Sequence, residues 1–334
     1  MICKHGINLA IGIPLFFTIF YRLAATTIAD PDLWGYMAFG RLFWEGGGFP
    51  YHDVFSYMPT KPVWIYHEWL TGVLFFKLYQ VFGETGLQLF RYGIGFLTAG
   101  VVCLTARKRG AGPLSSAIAL WIASAMFGIF YSSVRATIFT YLFFVITFYL
   151  LETARLKNSW RRLIFIIPIQ ILWCNFHGGF FAGLGLVSLY TAGQILSRHK
   201  FKPYLFILII STFATLINPY GVSYWVYMAE AITMPRPEIA EWFSVYKAIT
   251  LDRQVSNQMC FILSVFVAIM FGLWYRWKDI TPILILLTTT YLGFKSNRHQ
   301  AFFYLSFAIF YPSILMAFGA RLKSDPRILR LFNR

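Results

Sequence analysis

Ionisable and polar residues recur at the ends of apolar segments in this chain. They include Asp30, Asp32, Glu45, His52, Asp53, His67, Glu68, Arg135, Asn175, His177, Glu241, Arg298 and His299. Such groups are costly in apolar surroundings and mark functional positions by default. Carboxylates beside His and Arg suit three chemistries: removal of a proton by a general base, coordination of a divalent cation such as Mg or Mn, or capture of an anionic head group.

Each candidate has a plainer use. In Asp30-Pro31-Asp32, Pro31 interrupts a helix and Asp32 can open the next as its cap. The same carboxylate, held rigidly, could deprotonate an acceptor hydroxyl. Asp53, in Tyr51-His52-Asp53, is equally a turn cap or a second carboxylate. Glu68 opens a helix, where the dipole favours an acid; His67 beside it could bind metal or phosphate. Asp32, Asp53 and His67 are the candidate metal ligands. Gly178 and Gly179 permit a tight turn that presents His177. Arg298 offers phosphate a bidentate fork, or else snorkels or pairs with a carboxylate. His177, His299 and Arg135 group with it as anion-binding candidates.

The elements that must position these groups follow from composition. Of 334 residues, 58% are hydrophobic and 13% charged, against roughly 25% charged in soluble domains. Mean hydropathy is +0.61. This excludes a soluble enzyme, a disordered chain and a porin-type barrel, and predicts an all-α polytopic membrane protein. Apolar segments fall near 7–28, 86–106, 112–132, 134–152, 163–176, 178–196, 203–218, 257–275, 280–295 and 300–320, about ten crossings of roughly 20 residues each. Segment 67–83 is shorter and carries His67, Glu68 and Lys77; it reads as an interfacial or re-entrant helix.

The net charge of +16 is read as the positive-inside bias, not as nucleic-acid binding. With the N-terminus inside, Lys4, Arg107-Lys108-Arg109, Arg155, Lys157, Arg161, Arg162, Arg198, Lys200, Lys202, Arg276, Lys278, Arg321, Lys323, Arg327, Arg330 and Arg334 share the inner side, as do Glu152, Asp279 and Asp325. The C-terminus is then also inside. Long outer connections cover about 29–85 and 219–256, the place where loops carry function. The chain 1–334 reads as a single membrane domain with no soluble domain, opening on a retained signal-anchor helix. Cys3, Cys103, Cys174 and Cys260 lack metal or disulfide spacing.

The stretch Asp30-Pro31-Asp32-Leu33-Trp34, then Gly48-Phe49-Pro50-Tyr51-His52-Asp53-Val54-Phe55-Ser56 and His67-Glu68-Trp69-Leu70, resembles the GT-C superfamily, in particular bacterial members of its protein-mannosyltransferase-like clan. Asn175-Phe176-His177-Gly178, Asn218-Pro219-Tyr220-Gly221, Glu241-Trp242 and Asn297-Arg298-His299 extend the likeness over nearly the whole chain. The resemblance implies a membrane glycosyltransferase of the cell envelope. It would move a sugar from a polyprenyl-phosphate donor, with inversion, to a lipid, glycan or protein acceptor on the periplasmic face of a bacterial inner membrane. It implies Asp32 as general base, with Asp30 and Asp53 as further acids. Arg298, His299, His177 and Arg135 would hold the donor phosphate, supported by His67 and Glu68. Relatives carry adjacent paired acids, whereas Asp32 here is followed by Leu33. A transporter or lipid flippase, and a non-catalytic scaffold of polysaccharide assembly, are the competing expectations.

Overall fold

A computed structural model describes residues 2–25, 29–58, 60–124, 131–275 and 279–324. Arg276, Lys278, Asp325, Arg327, Arg330 and Arg334 lie outside the described residues, as do the side chains of Cys3, Lys4 and Lys323. Among the described residues the structure is helical, without strands. The helices are α1 Ile2–Ala24, α2 Pro31–Glu45, α3 Trp69–Lys108, α4 Pro113–Ser124, α5 Thr137–Lys157, α6 Ile166–Phe176, α7 Phe181–Leu196, α8 Lys202–Ala214, α9 Val222–Thr233, α10 Val245–Thr250, α11 Val255–Tyr275, α12 Ile280–Lys295 and α13 Gln300–Ser324. Tight 3₁₀ turns precede α6, α7 and α13.

Five described helices are long and apolar enough to cross a membrane: Trp69–Lys108, Thr137–Lys157, Gly178–Leu196, Val255–Tyr275 and Asn297–Leu322. The chain is therefore an integral membrane protein. The shorter apolar helices Ala10–Ala24, Pro113–Ser124, Lys202–Ala214 and Ile280–Lys295 fall in the segments near 7–28, 112–132, 203–218 and 280–295, of which 26–28 and 125–130 lie outside the described residues; the segment near 163–176 holds only the 11-residue helix Ile166–Phe176 after a 3₁₀ turn. The interfacial segment 67–83 is not a separate helix. It is the first arm of α3, and Gly83, at φ 62° and ψ −160°, breaks that helix in two. Only glycine tolerates that conformation cheaply.

Burial ranks the helices. The apolar windows of α5 and α13 are 83% and 72% buried, that of α11 only 22%. The first two form the centre and α11 turns most of its surface outward. Phe148–Phe310 at 5.2 Å and Phe144–Phe302 at 4.9 Å interlock α5 with α13. Helices in lipid gain little from burying apolar surface and pack through small residues and polar contacts instead. Gly40 of α2 crosses Gly72 of α3 so closely that an added Cβ would overlap the Gly72 carbonyl. Gly193 of α7 meets Thr281 of α12 in the same way.

Two buried polar clusters complete the frame. Arg91, fully buried in the second arm of α3, donates to the carbonyls of Leu23, Tyr131 and Ser132. It therefore ties the end of α1 to the segment before α5. At the far end of α5, the buried Glu152 carboxylate accepts from Arg109, Arg155 and the Tyr190 hydroxyl. Arg155 also pairs with Asp279, whose Oδ1 caps α12 by accepting from the Thr281 N–H at 3.0 Å. Removing one member of a buried ion network strands the others, at a cost of about 3–5 kcal/mol. Glu152→Gln leaves two guanidinium groups facing a neutral amide. Its thermal unfolding in detergent is expected well below that of the wild type; an unchanged midpoint would mean the cluster carries no stability.

Candidate functional site

At the other end of α5 the polar residues divide into an acidic hub and a cavity. Arg135, just before α5, is the centre of the hub. Its Nη2 lies 2.7 Å and its Nε 3.0 Å from Asp32 Oδ2. Its Nη1 pairs with Glu241, and Asp30 is 3.7 Å away. Burial works against the charge on Arg135; the three carboxylates outweigh it and raise its pKa above the ordinary value. Arg135 is therefore held by carboxylates and does not line the cavity with Arg298, His299 and His177.

The helix cap is Asp30, not Asp32. Asp30 Oδ1 accepts from the Asp32 N–H at 3.0 Å, with Pro31 as the first helical residue. Its Oδ2 accepts from the Ser133 hydroxyl at 2.9 Å. A residue before proline is extended, the conformation an N-cap requires, so the capping role falls one step earlier than the spacing suggested. Asp32 is left half-exposed, its side chain 49% accessible. It offers Oδ2 to Arg135, and no described residue hydrogen-bonds its Oδ1.

Asp53 stands apart from this hub. Its Oδ1 accepts from the Phe55 N–H at 2.9 Å, so it shapes a turn in the first long connection. Among the described residues no group of three or more His, Cys, Asp or Glu is placed to hold a metal ion. Asp32, Asp53 and His67 are thus not gathered into one site. Asn175 proves a structural link. Its Oδ1 accepts from the Trp69 indole N–H and its Nδ2 donates to the Ile217 carbonyl.

The cavity measures about 420 Å³, within the range of small-ligand sites. Its walls are apolar. Ala182, Gly185, Leu186 and Leu189 of α7 face Ile285, Thr288, Thr289 and Leu292 of α12. The Gly193–Thr281 contact brings the same two helices together beyond the lining residues. Its other end is polar, lined by His67, His177, Arg236, Trp242, Arg298 and His299. The Arg236 and Arg298 guanidinium groups lie 4.6 and 5.3 Å from the Trp242 ring. Among the described residues neither forms an ion pair with a carboxylate. Two guanidinium groups that face a cavity unpaired have the chemistry to meet an anion.

Glu68 bridges hub and cavity. It occupies the cap position of α3 without making a cap hydrogen bond. Its carboxylate lies 3.3 Å from His177 Nε2 and 3.6 Å from His67 Nε2. The hydroxyl of Tyr36, one turn beyond Asp32 on α2, accepts from the Ala136 N–H at 3.4 Å. Burial, then the charges of Glu68 and Asp32, holds the Tyr36 phenol far above its ordinary pKa. The Tyr227 hydroxyl meets His67 Nδ1 at 3.2 Å. On the other flank Glu241 binds Arg135 while its neighbour Trp242 carries both cavity arginines. The Ser296 hydroxyl, which donates to the Glu241 carbonyl at 3.1 Å, anchors that turn to the segment bearing Arg298.

Arg236, Tyr227 and Thr140 are cavity residues that spacing alone did not single out. The signal for Arg236 was its place between Pro235 and Pro237, which stiffen the loop that holds it.

Burial lowers the His177 pKa well below 6.5, assisted by the nearby Arg298, His67 and Arg135. The native side chain stays neutral where the unfolded one, near pKa 6.5, takes up a proton. The unfolded state then binds more protons, so stability falls as pH drops below about 6.5. Thermal unfolding of the wild type between about pH 7 and 5 is expected to show that loss. His177→Gln is expected to show a shallower one, and equal slopes would contradict the buried neutral imidazole.

The chain matches no known family model and no curated protein, so the chemistry rests on the geometry above.

Proposed function

We propose that this protein is a GT-C-like membrane glycosyltransferase. It would transfer a sugar from a polyprenyl-phosphate donor to a hydroxyl acceptor. The observation that carries this reading is the cavity: two arginines unpaired with carboxylates at one end, an apolar groove between α7 and α12 at the other. That combination matches an anionic head attached to a long apolar tail.

In this reading Arg236 and Arg298 neutralise the phosphate, whose negative charge grows as the sugar departs. Asp32 is the general base. Arg135 fixes its Oδ2 and leaves Oδ1 to accept the proton of an acceptor hydroxyl. Inversion follows from direct attack on the face opposite the leaving phosphate. Glu68 is a second carboxylate, nearer the cavity through His177. A divalent cation beside the phosphate stays part of the proposal only as an addition to the two arginines.

The proposal includes about ten crossings, several of them shorter than the roughly 20 residues of a standard span, N- and C-termini inside, and an active face toward the periplasm. It is supported by the separation along α5 of the Arg135 hub from the end that carries Arg155 and Lys157. Transport is disfavoured because the buried ionic cluster around Glu152 is internally paired.

Two experiments test this. Binding of farnesyl phosphate to the purified protein, followed by native mass spectrometry, is expected to weaken about tenfold or more in Arg298→Ala. Binding no tighter than to bulk phospholipid would remove the lipid-phosphate donor. Asp32→Asn is expected to keep that binding and to abolish transfer; Glu68→Gln is expected to alter binding and retain turnover. The opposite pattern would reassign the base to Glu68.

A further inference from the structure

Residues 153–229 contain no Asp or Glu, and their Lys and Arg fall only in two short stretches, 155–162 and 198–202. The fold brings both stretches to the end of the molecule marked by Glu152. That carboxylate, on α5, accepts from the Tyr190 hydroxyl of α7, and the Tyr190 ring stacks on Tyr204 of α8 at 6.4 Å. The 3₁₀ turn Trp160–Phe165 packs against α8. Both stretches begin at a tight helix end. The Ser159 N–H donates to the Ala154 carbonyl at 2.9 Å and the His199 N–H to the Gln194 carbonyl at 2.8 Å, with Asn158 and Arg198 at positive φ.

Glu152 and Asp279, the carboxylates at this end, are engaged by Arg109 and Arg155. Among the described residues, Lys157, Arg161, Arg162, Arg198, Lys200 and Lys202 form no ion pair. Apolar surface runs on from these charges. Lys202, Leu205, Phe206, Ile209 and Phe213 share one exposed face of α8, while Tyr204, Ile207, Ser211 and Ala214 are buried on the other. Trp160, Ile164 and Phe165 are exposed beside Arg161. Indole rings and long basic side chains settle where hydrocarbon meets headgroups. A soluble acidic protein or a free phosphate would match the charges and leave the apolar face uncovered. An amphiphile with an anionic head covers both.

We propose that this end of the molecule, between the 3₁₀ turn Trp160–Phe165 and α8, seats an anionic phospholipid. Its headgroup phosphate lies against Arg161, Arg162 and Lys202, and its acyl chains follow the Leu205, Phe206, Ile209 and Phe213 face. Clustered basic groups at the end of a membrane helix attract such lipids. The proposal does not rest on the glycosyltransferase reading, whose two arginines lie toward the Arg135 end of α5.

The test is native mass spectrometry of the full-length protein with dioleoyl phosphatidylglycerol and dioleoyl phosphatidylcholine. These probes share chains and phosphate and differ in net charge. Phosphatidylglycerol is expected to bind about tenfold tighter or more. The double variant Arg161→Gln, Lys202→Gln is expected to lose about tenfold of that affinity. Lys247→Gln, Arg253→Gln removes the same charge on and after α10, and is expected to lose less than about twofold. Phe206→Ser is expected to weaken binding about threefold or more, and added inorganic phosphate is expected not to displace the lipid. Equal affinity for the two lipids would overturn the proposal and leave the charges to a soluble acidic partner. Equal losses in the two double variants would reduce the effect to net charge and overturn it as well. Displacement by inorganic phosphate with Phe206→Ser unchanged would make this a free-anion site instead. Loss of phosphatidylglycerol in Arg298→Ala, with Arg161→Gln, Lys202→Gln unaffected, would put the lipid in the cavity and sink this proposal alone. A failure of farnesyl phosphate to bind, with the phosphatidylglycerol pattern intact, would remove only the lipid-phosphate donor.

Discussion

Arg135 is the interaction on which the polar end of this molecule depends. Asp30 and Asp32 belong to the start of α2, and Glu241 lies more than a hundred residues later in the second long connection. One guanidinium holds all three. A charge this buried is tolerable only when paired, and three carboxylates against one cation leave the hub with negative charge to spare. Immediately beside it, Trp242 carries two arginines without carboxylate partners. The adjacent residues Glu241 and Trp242 therefore join an acidic region to a basic one. The proposed transfer, in which an acceptor hydroxyl loses its proton, bonds the anomeric carbon and displaces the phosphate from it, would use that polarity: a proton acceptor on one side and a cationic receiver for the departing phosphate on the other.

The helical frame gives the polar end its rigidity. α5 is the most buried of the candidate spans and carries an ion cluster at each end, Arg135 before its first turn and Glu152 with Arg155 in its last turns. Ion pairs at both ends set the depth and rotation of a helix whose sides are apolar all round, which apolar packing in lipid would leave weakly specified. Small residues set the remaining spacing. Gly193 lets α7 touch α12 at one point. Residues of the same two helices line the groove, which reaches the arginines.

Legibility in the sequence differed by kind of feature. The apolar segments, the break after the first arm of α3 and the turn at Asn218-Pro219-Tyr220-Gly221 follow from local chemistry, and the helices fall close to where hydropathy puts them. The concentration of acids and histidines between those segments was equally plain. Their pairing was not. Asp32 reads as a cap because it follows proline, yet the cap belongs to Asp30. Arg135 and Arg298 look alike in sequence, as arginines flanking an apolar helix; one is spent on carboxylates and the other faces the cavity. Asp53 has the composition of a site residue and serves a turn. Thr140 sits inside a strongly apolar helix, where hydroxyls commonly bond their own backbone, and nothing local says that it faces His177.

The sequence by itself determined that this chain is helical and membrane-embedded, and that its acids, histidines and several arginines gather where the apolar segments end. Hydropathy and helix-breaking chemistry act over a few residues, and a single strand of letters records them. Only the tertiary structure decided which charges neutralise each other, which two arginines face the cavity without a carboxylate, and that a groove opens between α7 and α12 beside them. Those outcomes depend on contacts between residues as far apart as Asp32 and Glu241, or Thr140 and His177. Such contacts are set by how whole helices pack, a property that no local spacing encodes.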